Sequence, residues 1–417
     1  MKFINWYIGT YKGLSREIWI MAATLLINRS GLMVMTFLSL YLINEFDYSV
    51  AKAGFAVSFY GWGSLVGVWL GGLLAERIGY LRIQFLALIS SGLVFISMYF
   101  ATEYWHFIAL SFLVSATADT FRPANMASIP WYSTEENRKR SIALIRLAIN
   151  LGISIGPAVG GFLALSIGYD ALFWVDGLTC ISAGIFLLSF LGLKDPEHKE
   201  ADTVPTQKSD VLDDSLDTIL IETKELSSAE AEKSALTKFY YLLISIFLWA
   251  FLFFQLIYMF PVFMKEELLF NELTIGLFFT FNGLLIVATE MPIVHQLQNK
   301  PVLPILKTGI ILCAISFLFL IFGEPLVLIF PVLYILFVTF GEVLYLPFTN
   351  SVALDLTPSK NQAKYMGYYA LAFSLSHVLG PLVGAFVADH YGFQILWIGC
   401  AVLMVLVLAL TSSLKYD

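Results

Sequence analysis

Charge is scarce in this 417-residue chain: Asp, Glu, Lys and Arg together make up 13% of it, about half the share of a soluble domain. Cysteine is scarcer still. The three present, Cys180, Cys313 and Cys400, sit inside apolar runs without CxxC spacing, so neither a disulfide framework nor a metal site follows. The sequence also lacks a Walker lysine motif, spaced His or Cys ligands and a nucleophile elbow, which leaves ATP hydrolysis and enzymatic chemistry without support. No cofactor, metal or nucleic-acid partner is therefore expected. No cleavable signal peptide is visible, because the first long apolar run simply continues.

Apolar residues take the space that charge leaves. They make up 59% of the chain, Phe alone occurs 36 times, and the mean hydropathy is +0.79. Burial in a water-facing globule cannot hide that much apolar surface, so the solvent for most of the chain is lipid. The net charge of −7 is local. Residues 193–237 hold twelve acids against five lysines, and the remainder of the chain is neutral. That stretch is too polar to pack and is expected to be a largely disordered linker, with at most a short surface helix.

A bilayer-crossing helix needs about 20 mainly apolar residues. Twelve such runs are present: 18–43, 52–75, 83–101, 105–126, 141–166 and 169–192, then 238–263, 273–295, 302–323, 326–350, 362–388 and 392–413. The expected organisation is an all-α membrane protein with a six-helix bundle in 1–192, an acidic linker at 193–237 and a second six-helix bundle in 238–417. With both termini in the cytoplasm, nineteen of the 24 basic residues face inward and only Lys52 and Lys265 fall in outer loops. The positive-inside rule thus sets the orientation.

The halves resemble each other. Gly156-Pro157-x-x-Gly160-x-Phe162 recurs 224 residues later as Gly380-Pro381-x-x-Gly384-x-Phe386, and the same offset carries Gly168 onto Gly392. An offset of 222 matches Gly54 to Gly276, Phe59 to Phe281 and Gly61 to Gly283. Duplicated halves with a solute site between them are a common build for secondary transporters.

The loop after the second run reads Gly72-Leu-Leu74-Ala75-Glu76-Arg77-Ile-Gly79. It resembles the signature loop of the major facilitator superfamily, with Glu76 in place of an Asp and with Tyr80 and Leu81 in place of a basic pair. The resemblance implies twelve helices in two pseudo-symmetric bundles, alternating access, and a latch formed by Glu76 and Arg77 at the cytoplasmic side. Gly152-x-x-x-Gly156-Pro157-x-x-Gly160-Gly161 matches the superfamily pattern associated with proton-coupled exporters. Glycines four apart also let a neighbouring helix approach closely, and Pro157 removes a backbone donor and permits a kink.

Charge inside the membrane is costly and marks pathways. Arg29, Asp119, Arg122, Arg146, Glu290, Glu342 and His377 all lie within apolar runs. In the superfamily fold the first, fourth, seventh and tenth helices line the central cavity, which would place Arg29, Asp119 and Glu342 on cavity helices. Glu342 has no arginine nearby in its own helix and is the better candidate for exchanging a proton, followed by Asp119 and Glu290. The context Gly341-Glu342-Val-Leu-Tyr-Leu-Pro347 resembles the tenth helix of proton-driven multidrug exporters. Asp119 with Arg122 and Arg146 reads as a charge cluster, and His377 reads as packing.

Neutral donors and aromatics expected on the cavity wall are Asn28, Tyr60, Asn150, Gln255, Tyr258, Asn282, Tyr345 and Tyr369. Such a wall suits an amphiphilic organic solute. These resemblances imply proton-coupled export of a small amphiphilic compound by a multi-pass, monomeric protein of a bacterial inner membrane, with protons and membrane lipids as its other partners. The run from Asn28-Arg29-Ser-Gly31 to Leu40-Tyr41-Leu42 resembles the first helix of proton-dependent peptide transporters, which makes uptake of short peptides the alternative. A membrane receptor or scaffold without transport is the alternative from another class.

Overall fold

In the computed structural model, residues 13–134, 136–193, 217–357 and 362–414 are described. Among them all regular structure is helical. The first half comprises α1 (Arg16–Ser30), α2 (Val34–Phe46), α3 (Val50–Ile78), α4 (Tyr80–Met98), α5 (Tyr104–Ala118), α6 (Phe121–Ser128), α7 (Arg138–Ser166) and α8 (Asp170–Leu191). The second comprises α9 (Asp217–Glu266), α10 (Glu272–Leu297), α11 (Val302–Ile321), α12 (Ile329–Asp355), α13 (Gln362–Tyr391) and α14 (Phe393–Ser412).

Eleven helical segments among the described residues are long and apolar enough to cross a membrane. The twelfth run, 105–126, is divided between α5 and α6. Pro123 has no N–H to return to the carbonyl of Asp119, and the chain turns at Asp119 and Thr120 instead. The first run is also interrupted, at 31–33, between α1 and α2. Gly31 is a poor helix former, and the N–H groups of Met33 and Val34 donate to the buried carboxylate of Asp176 in α8, at 3.1 and 2.8 Å to Oδ2. Both interruptions fall beside the charges that the apolar runs carry.

One further boundary differs from expectation. Helix α9 begins at Asp217, inside the acidic stretch, and continues without a break into the membrane segment. Residues 194–216 lie outside the described residues.

Glycine contacts give the two halves a common interface. Within the first half, Gly152, Gly156 and Gly160 of α7 face the backbone and side chains of Arg29, Ser30, Leu32 and Met33. Within the second, Gly380 and Gly384 of α13 face Phe254 and Gln255 of α9. Between the halves, Gly276 of α10 meets the carbonyl of Pro157, and its counterpart Gly54 of α3 meets the carbonyl of Pro381. Likewise Gly283 meets Ser154 and Gly61 meets Val378. Gly168 and Gly392 each turn the chain at positive φ before the last helix of their half, a conformation that side chains disfavour.

The helix ends fall into two sets. One set carries Arg77, Arg82, Arg138, Lys300 and Lys364 and is termed the basic end; the other carries Glu45, Lys52, Asp170, Lys265 and Glu272. At that opposite end the halves are closed. Every residue of Val34–Leu42 in α2 is buried, as are Met259, Phe260, Val262, Phe263 and Met264 of α9. Across this seam Tyr169 Oη donates to Glu272 Oε1 at 2.7 Å; within the second half Lys265 Nζ lies 2.7 Å from the same oxygen, and within the first Asn44 Nδ2 donates to Tyr169 at 3.2 Å.

At the basic end the halves splay. The antiparallel register that pairs Gly54 with Ala385 and Gly61 with Val378 would bring Gly72 opposite Gly367, yet a Cβ built on either meets nothing within 4 Å.

Candidate functional site

The splayed end leads to a central cavity of about 410 Å³ between the halves. Its wall is drawn from α1, α2, α3, the α5–α6 break, α6, α7, α9, α10 and α13. Contrary to the expectation from helix order, α12 contributes no lining residue. The first half supplies the charged lining groups, Arg29, Asp119 and Arg122, while the second supplies Phe254, Ile257, Phe279, Phe373, Ser374 and His377.

Each charged group is held by one of the helix interruptions. Arg29 occupies the last turn of α1, where the helix C-terminus favours a cation, and Gly152 gives it room to seat against α7. Its Nε is buried without a hydrogen-bond partner, and it has no carboxylate within salt-bridge distance among the described residues. Asp119 ends α5 and is 3% exposed. It pairs with Arg122 of α6 at 3.5 Å, and the Arg122 side chain remains 59% exposed toward the open end.

Tyr60 and His377 meet across the two halves, ring edge to ring face, with centroids 5.6 Å apart. His377 Nε2 also shares a 2.6 Å hydrogen bond with Tyr258 Oη. The sequence reading of His377 as a packing residue is thus corrected: it lines the cavity. Thr36, Ser64 and Asn125 also line it without having been anticipated. Asn125 stands two residues after Pro123, the residue that breaks the helix and turns this segment toward the cavity.

Other expected wall residues lie elsewhere. Asn28 faces a side pocket of about 20 Å³ behind Arg29 and donates to Cys180 Sγ at 3.2 Å. Gln255 is buried against Gly384 and donates to the carbonyl of Gly380 at 3.0 Å. Asn282 donates to Thr339 at 2.7 Å. Tyr345 is fully buried, stacked on Trp249 at 4.6 Å and bonded to Ser245. Tyr369 reaches Thr349 at 3.3 Å. Each of these side chains finds a partner between packed helices of its own half, as most buried polar groups do, although Gln255 Oε1 itself accepts no hydrogen bond.

Glu290 and Glu342 form a separate cluster. Glu290 of α10 is bonded to Arg146 of α7 and accepts from Asn150 Nδ2 at 3.3 Å, so this ion pair crosses from one half to the other. Arg146 is 52% exposed, while the Glu290 side chain is 11% exposed. Glu342 of α12 lies within electrostatic reach of both, and its Oε2 is buried with no hydrogen-bond partner. Glu76 and Arg77 are exposed at the end of α3 and join no ion pair among the described residues. Asp176, the cap of α2, was not anticipated as a site residue; an acid within an apolar run was the available signal.

Comparison with known proteins gives the following. The family model of the Major Facilitator Superfamily matches residues 18–346 and, again, 308–416. The uncharacterized MFS-type transporter YqjV of Bacillus subtilis is 26% identical over 369 residues, covering 86% of this chain and 83% of that protein. A Na(+), Li(+), K(+)/H(+) antiporter of Planococcus maritimus is 23% identical, with 85% of each chain covered. The multidrug resistance protein MdtG of Salmonella arizonae is 30% identical over 118 residues, 28% of each chain. Among solved structures, a POT family transporter in complex with 5-aminolevulinic acid superposes with a TM-score of 0.77 at 15% identity, over 97% of this chain and 98% of the other.

Proposed function

The chain belongs to the Major Facilitator Superfamily and is a multi-pass membrane transporter of small molecules; from that premise we propose that it exports an amphiphilic organic compound in exchange for protons. The observation that carries this reading is the division of labour among the intramembrane charges. The cavity carries its charged groups on the first-half wall, set among apolar side chains, and faces them with Phe254, Phe279, Phe373 and His377 of the second half, which suits a solute with a polar and an apolar part. The acids Glu290 and Glu342 stand outside that cavity, beside the single cation Arg146.

A carboxylate paired with an arginine of the opposite half, with a second carboxylate within electrostatic reach, makes a proton-sensitive contact between the halves. When Glu290 carries a proton it no longer competes as an anion for Arg146, and the pair that spans α7 and α10 loosens. Glu342, with no partner on Oε2, is the group that exchanges its proton most directly with the passing states. Alternating access would then link solute release to proton entry. In this reading the basic end is cytoplasmic, the cavity is open inward, and the exposed Glu76 and Arg77 engage when the transporter faces outward. The protein works as a monomer in a bacterial inner membrane.

Uptake in symport is the second reading, favoured by Arg29, a cation on the cavity wall without a carboxylate partner. Purified protein in liposomes enclosing a pH-sensitive dye separates the two. Cationic drugs and dipeptides are added outside in turn. Solute-dependent internal alkalinisation, reduced at least tenfold by Glu342→Gln, is the expected result. Internal acidification would replace export by symport, and an unaltered proton signal in Glu342→Gln would remove Glu342 from the coupling.

A further inference from the structure

Taking the transport reading as its base, we propose that the cavity selects an organic anion: a molecule with a carboxylate or similar acidic head and an aromatic or aliphatic body. The titratable groups that face the cavity are Arg29, Asp119, Arg122 and His377, with Tyr60 beside them. His377 is engaged with Tyr258. Arg122 and Asp119 pair with each other. The sum is one unmatched guanidinium, that of Arg29.

A cation in a membrane interior is retained at a cost and finds a counter-charge. For Arg29 the protein supplies only part of one. The carbonyls at the end of α1 offer partial negative charge, and Asp119, within electrostatic reach of Arg29, makes its direct ion pair with Arg122. A planar guanidinium is also the group best matched to a carboxylate, through two parallel hydrogen bonds. The residue that completes the charge balance is therefore the solute's own anionic head.

The rest of the cavity fits the body of the same molecule. Facing the charged wall, Phe254, Ile257, Phe279 and Phe373 present rings and branched carbon, and the space of about 410 Å³ is within the usual range for one drug-sized ligand. Arg122, half in solvent at the open end, lies where an arriving anion would pass before reaching Arg29.

Three probes with one body and different charge test this: 2-naphthoate, 2-naphthamide and 2-naphthylmethylammonium, titrated calorimetrically into the full-length protein in nanodiscs. The anion is expected to bind at least tenfold more tightly than the amide, and the cation least tightly. Arg29→Gln should bring the anion to within twofold of the amide. Asp119→Asn, which removes the only acid on the wall among the described residues, should tighten anion binding several-fold, and it keeps the test decisive if Arg29→Gln fails to fold.

Equal binding of the three probes, preference for the cation, or an anion preference untouched by both substitutions would overturn the assignment. Dodecanoate preloaded in the bilayer distinguishes the source of the head group: displacement of 2-naphthoate supports a lipid-borne anion, and independent binding of 2-naphthoate supports one taken from water. Cation preference together with solute-driven proton exchange would remove the anion and leave the exporter reading intact. Anion preference without proton movement would keep the anion and remove the coupling.

Discussion

Asp176 in α8 has Cys400 as its counterpart 224 residues later in α14, and the first membrane helices of the two halves differ to match. Where the acid is present, the chain is interrupted at 31–33, and Asp176 accepts from the freed N–H groups of Met33 and Val34. Where cysteine stands, α9 runs unbroken past the equivalent point, and Gln255 spends its donors on carbonyls of α9 and α13. The interruption ends α1 at Ser30 and leaves Arg29, in its last turn, on the cavity wall. The unbroken helix presents Phe254 and Ile257 instead.

A duplicated scaffold has thus acquired one polar and one apolar wall. Its packing glycines remain paired across the two halves, while the helix interruptions, found in the first half, change the groups that face the cavity.

The sharpest way to break this comparison is to remove the cap. Asp176→Leu leaves the buried Val34 N–H unsatisfied, at about 1–3 kcal/mol, and leaves Met33 N–H only the Gly31 carbonyl. Thermal unfolding in detergent should show a loss on the order of 3 kcal/mol, while Cys400→Ala should cost about 1 kcal/mol. Equal losses at the two positions would mean that Asp176 only fills space.

The shared part of the scaffold makes a second test. Gly54→Ala and Gly276→Ala each drive a methyl group into the opposing half, against Ala385 and the Pro381 carbonyl or against the Pro157 carbonyl. Overpacking of this kind costs roughly 1–3 kcal/mol. The two variants should lose similar amounts of stability, and a large inequality would show that the interface is not functionally two-fold.

The smallest effect is expected at the closed end. Tyr169→Phe removes one hydrogen bond to the Glu272 carboxylate, which keeps its Lys265 partner, for a net loss of about 1 kcal/mol. That is roughly a fivefold shift toward the state open at this end. Spin labels at positions 47 and 326, one in each half, would read it as a longer distance population. No change in the distance distribution would mean that apolar packing alone holds this end shut.

Much of the fold was legible in order. Apolar runs of bilayer length and the Gly-Pro repeat required nothing beyond the local chain, because a helix in lipid satisfies its own backbone. The interruptions were harder to see. Pro123 marks the one between α5 and α6, but the one between α1 and α2 depends on an acid some 143 residues away. The polarity of the acidic stretch concealed that α9 reaches back to Asp217, whereas its membrane-spanning part begins at Ala235, close to the expected 238.

Of the candidate site, the charges in apolar runs were legible because each is expensive there. Where they point was not. Glu342 and Tyr345 were placed on the cavity by helix order, and the packing of α12 behind α10 keeps both away from it. His377 was read as packing because histidine carries no sign of its surroundings.

By itself, then, the sequence determined that the chain is a duplicated bundle of membrane helices with a few charges it cannot bury freely. Composition and periodicity suffice for that, since lipid admits few backbone structures. Only the tertiary structure decided which of those charges share a partner, which one faces the cavity without a carboxylate, and which end stands open. Those outcomes depend on the register between helices far apart in the chain, and a helix face has no defined neighbour until the helices pack.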